Sequence, residues 1–336
     1  MACSARKSIE HGFEVVRLAD PSRDIEVAIA PSVGNRAFEM KVQGVNILHF
    51  PFDNVSGFNT DTRSLNGIPF LAPWANRAAD GALHINGKTY PFNESAGTLR
   101  LDANGLPIHG MLSRSPFWEV IDLGADSDSA HITSRLEFWK YPNLMANWPF
   151  AHEYEMTYRL GNGTLEVRTT IVSRCAEPMP VAIGFHPYFN LPGVQRDEAV
   201  AHIPVQSHVE TDSRLVATGE LKPVSLADRT ELKDHRFDDG FTDIVRDPDG
   251  RAVFYIEGAG KRIEVVYGPK YQVAVIYAPP GKDFICFEPM TALTNGVNLA
   301  AAGKYPALQW IAPGEMWSES FWVIPPSPSP ALQAAP

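Results

Sequence analysis

Regular alternation of apolar and polar residues is the feature that most restricts how this chain of 336 residues folds. Two segments alternate in this way, 152–160 (HEYEMTYRL) and 164–172 (TLEVRTTIV). Side chains on a strand point to opposite faces in turn, so each segment presents one apolar and one polar face. Gly161, Asn162 and Gly163 lie between them and favour a tight turn. The pattern predicts a β-hairpin.

Three later segments show the same period, 262–267 (RIEVVY), 271–277 (YQVAVIY) and 284–287 (FICF), with glycine and proline between them. They predict an antiparallel meander. Amphipathic helical stretches are scarce, and 28 prolines with 25 glycines are typical of many short strands joined by turns. We therefore expect an all-β fold, a large antiparallel β-sandwich, as one domain over residues 1–324. Residues 325–336, rich in Pro, Ser and Ala, are expected to be a disordered tail.

Charge and cysteine content exclude several classes of protein. The formal net charge of −10 argues against nucleic acid or an anionic membrane as partner, because both attract clustered positive charge. Three cysteines without metal-type spacing are too few for a disulfide framework and indicate a reducing compartment. No run of about 18 apolar residues is present, and the first ten residues lack the apolar centre of a secretory signal. We expect a soluble cytoplasmic protein with a small neutral ligand.

Two motifs carry groups that move protons at neutral pH, 184–191 (GFHPYFNL) and 286–291 (CFEPMT). Each places its proton mover, His186 or Glu288, between apolar residues and a proline. Taken alone, His186 also fits a structural histidine beside a turn, and Glu288 also fits a surface ion pair. The apolar neighbours of Glu288 argue against the ion pair, because an apolar setting makes a carboxylate costly without a function. The motifs indicate an acid/base enzyme.

A long irregular stretch, 50–82, is predicted to be a binding loop, because such stretches in compact domains are often functional. Trp74 offers a ring to stack on a sugar face, while Asn76 and Arg77 can donate hydrogen bonds to hydroxyl groups. The alternatives to these binding roles are that Trp74 packs in the core and that Arg77 is a solvated surface residue.

Two further residues are candidates for the site. His109 precedes Gly110, whose small size permits close approach of a ligand or of backbone. A buried histidine bonded to a carbonyl is the alternative for His109. Asp238 also fits a turn, and Asp234 or Asp239 can take its place if the register differs.

Together the motifs resemble the aldose 1-epimerase family, the galactose mutarotases, from about residue 13 to 323. Five motifs in family order carry the resemblance: 67–81 (GIPFLAPWANRAADG), 108–110 (IHG) followed by Phe117 and Trp118, 184–191 (GFHPYFNL), 238–241 (DDGF) and 287–291 (FEPMT). The resemblance implies a galactose mutarotase-like supersandwich. It also implies an isomerase, monomeric or homodimeric, that interconverts the α and β anomers of a free aldohexose without metal or cofactor.

The resemblance further implies roles for the candidate residues. Glu288 is the expected base at the C1 hydroxyl group, and His186 the expected acid at the ring oxygen, with the roles reversed on closure. His186 must then be at least partly protonated near pH 7 and Glu288 ionised. His109 is expected to bind a sugar hydroxyl or polarise the ring oxygen. The expected substrate-binding residues are Trp74, Asn76, Arg77 and Asp238.

Small departures from the family pattern leave the sugar preference open. Pro107 and Ile108 precede His109 where a leucine is usual, and Thr294, Asn295 and Gly296 replace a proline-containing turn. A hexose 6-phosphate mutarotase is one alternative, which requires cationic groups near the site. Its candidates are Arg63, Arg77 and Arg114. A non-catalytic sugar-binding protein of the same fold is a second alternative. A glycoside hydrolase, which needs two carboxylates, is a third.

Overall fold

Strands dominate the structure, a computed structural model that describes residues 2–61 and 64–326. Twenty-six strands lie in these residues: β1 Ser4–Glu10, β2 Phe13–Asp20, β3 Ile25–Ala30, β4 Arg36–Val42, β5 Val45–Asn46, β6 Phe70–Leu71, β7 Ala82–Ile85, β8 Lys88–Pro91, β9 Glu119–Ala125, β10 Ser129–Glu137, β11 His152–Gly161, β12 Thr164–Ser173, β13 Met179–Val181, β14 Gly184–Phe185, β15 Tyr188–Phe189, β16 Val200–His202, β17 Val205–Thr211, β18 Ala217–Pro223, β19 Thr230–Glu231, β20 Phe237–Ile244, β21 Ala252–Gly258, β22 Lys261–Tyr267, β23 Val273–Ala278, β24 Ile285–Met290, β25 Gln309–Ile311 and β26 Met316–Ile324.

Helices in the described residues are short. The α-helices are α1 Gly57–Thr60, α2 Pro142–Met145 and α3 Gly296–Ala301, and the 3₁₀ segments are Glu94–Ala96, Phe138–Lys140, Arg196–Glu198 and Leu232–Asp234. Within the described ranges, no helix has the length and apolar character needed to cross a membrane.

The predicted hairpin is confirmed. β11 and β12 pair antiparallel from His152 with Ser173 to Gly161 with Thr164. The two loop residues have positive φ, 52° at Asn162 and 78° at Gly163. Two such residues match the right-handed twist of the flanking strands, which explains the sequence of this turn.

Three antiparallel sheets make up most of the fold. One has five strands in the order β1-β2-β3-β4-β5, and one has nine in the order β19-β16-β21-β22-β26-β12-β11-β10-β9. The third has eight, in the order β18-β17-β20-β23-β24-β14-β6 with β15 paired to β24, and β7-β8 and β13-β25 form small ribbons. The prediction of an all-β antiparallel fold is confirmed.

The predicted meander is wrong in one of its three strands. β23 and β24 pair antiparallel in the eight-stranded sheet, as predicted. β22 instead lies between β21 and β26 in the nine-stranded sheet. Gly268 and Pro269 follow β22, and the chain changes sheets before β23 begins at Val273. Alternation identifies a strand but does not identify the sheet that it joins.

The nine-stranded and eight-stranded sheets pack face to face around the main hydrophobic core. Phe254 of β21 contacts Phe287 of β24 with ring centroids 6.0 Å apart. Phe185 of β14 and Phe321 of β26 are 4.9 Å apart. Successive strand residues point to opposite faces, so Phe287 in the core directs Glu288 to the other face of the eight-stranded sheet.

One hydrophobic core cluster includes residues from Val16 to Val323. The assignment of residues 1–324 to a single domain stays a prediction. Of the tail predicted to be disordered, residues 327–336 lie outside the described residues.

Candidate active site

His186 and Glu288 meet in a buried position. His186 follows β14, and its backbone N–H donates to the carbonyl oxygen of Pro69 at 3.1 Å. Glu288 lies in β24, which pairs with β14 through Met290 and Gly184. The Nε2 atom of His186 lies 3.2 Å from Oε1 of Glu288. The two residues are only 7% and 1% exposed, so the packing of strands distant in sequence brings both proton movers together away from bulk water.

His109 lies beside this pair. Its ring centroid is 5.5 Å from that of His186, and the residue is 8% exposed. Its φ of 62° is left-handed, and its backbone N–H donates to the carbonyl oxygen of Asn76 at 2.8 Å. Asn76 is also left-handed, with φ of 56°. Left-handed backbone at a non-glycine residue costs free energy, and such residues cluster at functional sites.

The charge states expected from the sequence are not those that the free site favours. Burial lowers the pKa of His186 to about 3, and the charge of Arg100 adds to that effect. Burial raises the pKa of Glu288 well above its usual range; Asp238 adds to the rise and Arg77 opposes it. Both shifts favour the neutral forms, because burial disfavours charge. Burial therefore favours a neutral pair in the free site. The protonated His186 and ionised Glu288 expected for ring opening stay a prediction.

Arg77 is held firmly by its neighbours. Its Nε donates to Oδ2 of Asp102 at 2.7 Å, and its backbone N–H donates to Oδ1 of Asn76 at 2.9 Å. Its carbonyl oxygen accepts from the backbone N–H of Asn295 at 2.8 Å. The hydroxyl group of Thr294 donates to Oδ1 of Asn76 at 3.1 Å. The turn that departs from the family pattern thus fixes the loop that carries Asn76 and Arg77.

Asp238 and the binding loop line one pocket together. Asn76, Arg77, Asp238 and Thr294 all contribute to its wall. Asp238 is exposed and lies opposite Tyr277 in the pairing of β20 with β23. Partial desolvation raises the pKa of Asp238, while Arg77 opposes the rise.

Of the two alternatives to Asp238, Asp239 lines the same pocket and Asp234 does not. Oδ1 of Asp239 lies 2.9 Å from Nε2 of His208, so this carboxylate is bound to a histidine. Asp234 ends the 3₁₀ segment Leu232–Asp234 and is exposed. The charge of Asp238 contributes to the raised pKa of Glu288, and Asp238 stays the predicted site residue.

The prediction that Trp74 stacks on the ligand is wrong. Trp74 is 3% exposed and belongs to the main hydrophobic core. Its ring contacts Phe92 and Trp148, with centroids 5.3 Å and 6.2 Å away. The sequence of the loop did not indicate the direction of this ring.

Sequence reasoning missed Tyr188 and Asp102. The ring of Tyr188 lies parallel to that of His186, with centroids 4.5 Å apart, and its hydroxyl oxygen is 3.4 Å from Nε2 of His186. A signal was present, because Tyr188 stands two residues after His186 in the same motif. Asp102 lies in an irregular loop and gave no signal. Arg63, a candidate phosphate-binding residue, lies outside the described residues.

Comparison with known proteins shows the family to which this chain belongs. A family model described as Aldose 1-epimerase matches residues 18–323. A galactose mutarotase-like protein from Clostridium acetobutylicum has 24% identity and a TM-score of 0.84, over 96% of this chain and 98% of that one. A protein from Synechocystis has 24% identity and a TM-score of 0.74, over 93% and 96%. A galactose 1-epimerase from Lactobacillus acidophilus has 14% identity and a TM-score of 0.70, over 96% and 97%. At these identities the three structures share the fold.

Proposed function

Because the chain belongs to the aldose 1-epimerase family, we propose that it is an isomerase that interconverts the α and β anomers of an aldohexose. The contact of 3.2 Å between Nε2 of His186 and Oε1 of Glu288 is the observation that carries the proposal. Ring opening moves two protons, one from the C1 hydroxyl group and one to the ring oxygen. Both oxygens are bonded to the same carbon, so the two proton movers must lie close together.

In the proposed mechanism, the carboxylate of Glu288 removes the proton of the C1 hydroxyl group while the imidazolium of His186 donates a proton to the ring oxygen. The bond between C1 and the ring oxygen breaks, and an aldehyde forms at C1. Rotation about the bond between C1 and C2 exposes the other face of the aldehyde. Closure reverses both proton transfers and yields the other anomer.

The neutral pair of the free site supplies the same number of protons as this mechanism needs. A protonated Glu288 beside a neutral His186 holds one proton, and so does an ionised Glu288 beside a protonated His186. Transfer of that proton along the contact of 3.2 Å converts one form into the other without change of net charge. We propose that the polar groups of the bound sugar favour the ion pair, because they replace the solvation that burial removes.

The remaining site residues are proposed to bind the sugar. Arg77, Asn76 and Asp238 line one pocket and have polar groups suited to sugar hydroxyls. His109 lies beside His186, where it can bind a hydroxyl group or polarise the ring oxygen. An epimer that lacks one partner hydroxyl leaves a buried polar group unpaired, which is costly. These contacts are therefore proposed to set the sugar preference.

The one-proton state of the pair predicts an unusual pH profile. With ordinary pKa values of about 4.3 for Glu and 6.5 for His, the ion pair loses its proton above about pH 6.5 and activity declines there. With the shifts in this site, the pair instead holds one proton over a wide pH range. That range runs from the lowered pKa of His186, about 3, to the raised pKa of Glu288. We expect kcat/KM for glucose to stay level through pH 6.5, where an ordinary histidine would lose its proton.

This profile is measured by polarimetry on freshly dissolved α-glucose, with the spontaneous rate in the same buffer subtracted at every pH. Glucose has no titrating group in this range, so any change belongs to the enzyme. A decline of kcat/KM centred near pH 6.5 would show that the pair loses its proton where an ordinary histidine does, which would contradict the expected profile.

The function itself is tested by anomer exchange with the purified protein. Polarimetry or NMR exchange is followed for free and phosphorylated aldoses, including glucose and galactose. The expected result is a rate proportional to enzyme concentration and well above the spontaneous rate for at least one sugar. Binding of sugars without any acceleration would favour the non-catalytic alternative.

A further inference from the structure

The side-chain amide of Asn76 has one orientation that suits its neighbours. Its Oδ1 atom accepts from the backbone N–H of Arg77 at 2.9 Å, from the hydroxyl group of Thr294 at 3.1 Å and from Nη1 of Arg77 at 3.2 Å. A backbone N–H and a guanidinium group can only donate. Exchange of the oxygen and nitrogen positions would place the NH₂ group of Asn76 against these donors. The oxygen of the amide therefore faces them, and its Nδ2 atom faces away.

Thr294 holds the amide in this orientation. Its hydroxyl group donates to Oδ1 of Asn76 and lies 3.2 Å from the backbone N of Arg77, whose N–H it shares with that oxygen. A hydroxyl group can do both because it is a donor and an acceptor at once. The backbone N–H of Asn295 donates to the carbonyl oxygen of Arg77 at 2.8 Å, so the next residue binds the same loop. The turn of residues 294–296 thus fixes the side chain of Asn76 through Thr294.

The polar groups that this pocket leaves for a ligand are of two kinds. Nε of Arg77 is bound to Asp102 and Nη1 to Asn76, whereas Nη2 has no hydrogen-bond partner within residues 2–61 and 64–326. In the same ranges, Nδ2 of Asn76 also lacks a partner, and so does the carboxylate of Asp238. The two nitrogens can only donate, and an ionised carboxylate can only accept. Asn76, Arg77 and Asp238 line one pocket, so they offer a ligand separate donors and acceptors.

We propose that Thr294 is a positioning residue for sugar recognition, because it makes Asn76 and Arg77 present only donors to one sugar hydroxyl group. Nδ2 of Asn76 and Nη2 of Arg77 bind the oxygen of that hydroxyl group. It is not the hydroxyl group at C1, since that one is bound by Glu288. An epimer whose hydroxyl group points elsewhere leaves both donors unpaired. The inference rests on the proposed function and adds the residue that determines which hydrogen bonds the sugar makes in this pocket.

The test combines variants of Thr294 with sugars that lack one hydroxyl group. kcat and KM are measured by NMR exchange for glucose or galactose, whichever the wild type accelerates more, and for its 2-, 3-, 4- and 6-deoxy forms. Thr294→Val nearly keeps the shape of the side chain but removes its hydroxyl group. It is expected to raise KM for the parent sugar about tenfold with little change of kcat, because the weakened contacts bind ground state and transition state alike. Thr294→Ser, which keeps the hydroxyl group, is expected to restore KM.

One deoxy sugar identifies the hydroxyl group that Asn76 and Arg77 bind. For that sugar, Thr294→Val is expected to leave KM unchanged, because the group that loses its donors is already absent. Thr170→Val is the matched control, since Oγ1 of Thr170 lies 2.9 Å from Oγ of Ser318 in the nine-stranded sheet. It is expected to keep the wild-type KM for every sugar.

Two results would overturn the inference and leave the proposed function intact. One is a wild-type KM for the parent sugar in Thr294→Val. The other is the same rise of KM for the parent sugar and for all of its deoxy forms, which would mean that Thr294 only supports the fold. Acceleration of no sugar by the wild type would instead remove the proposed function and the inference together.

Discussion

Replacement of Glu288 by Gln is expected to lower kcat for anomer interconversion by about 10²- to 10⁴-fold. The carboxamide has nearly the shape of the carboxyl group but cannot accept and release a proton. Glu288 is 1% exposed, and its Oε2 atom has no hydrogen-bond partner in the described residues. The substitution therefore removes the carboxyl group that moves the proton, and it breaks no described hydrogen bond of Oε2.

His186→Asn is expected to reduce kcat by a similar factor, since the second proton transfer loses its donor. The double variant is expected to be little slower than either single variant, because residues that act as a unit are not additive. kcat is measured by polarimetry on α-glucose or α-galactose, and sugar affinity is measured by calorimetry. The variants are expected to retain their affinity for the sugar.

His131→Asn is the matched control for this pair. His131 lies in β10 of the nine-stranded sheet, with Nε2 2.9 Å from Oδ2 of Asp122. It is expected to keep the wild-type rate. Wild-type kcat in Glu288→Gln or His186→Asn would refute the assignment of that residue.

Local periodicity was sufficient to predict strands but not their arrangement. The hairpin of β11 and β12 follows from alternation and from two turn residues, all of them neighbours in sequence. The sheet that β22 joins depends on contacts with β26, a strand more than fifty residues away. Such pairings follow from the packing of the whole chain, which a local pattern does not contain.

The site, like the fold, was predictable from the sequence only in part. Family motifs predicted that His186 and Glu288 converge, and the structure brings their side chains within 3.2 Å. Their charge states did not follow from the motifs, because they depend on burial, which packing determines. The directions of the aromatic rings also depend on packing: Trp74 packs in the core, while Tyr188 stacks on His186.

Gly110→Ala is expected to lower the free energy of unfolding by about 3 kcal/mol or more. Gly110 has φ of 62°, and a Cβ atom added there would lie 2.1 Å from the carbonyl oxygen of Ala72. The backbone N–H of Met111 donates to that same oxygen at 2.7 Å, so the neighbour is fixed backbone with little freedom to move. Displacement of the loop would also shift His109, and we expect anomer exchange to fall together with stability.

Gly105→Ala separates this clash from the cost of left-handed backbone. Gly105 lies in the same loop with φ of 75°, but a Cβ atom there meets no heavy atom within 4 Å. It is expected to lose only about 1–2 kcal/mol, the cost of a side chain in left-handed backbone. Chemical denaturation of both variants and the wild type gives the two losses. Equal losses at the two positions would mean that the chain near Ala72 moves aside at no cost, and that close contact does not explain the glycine after His109.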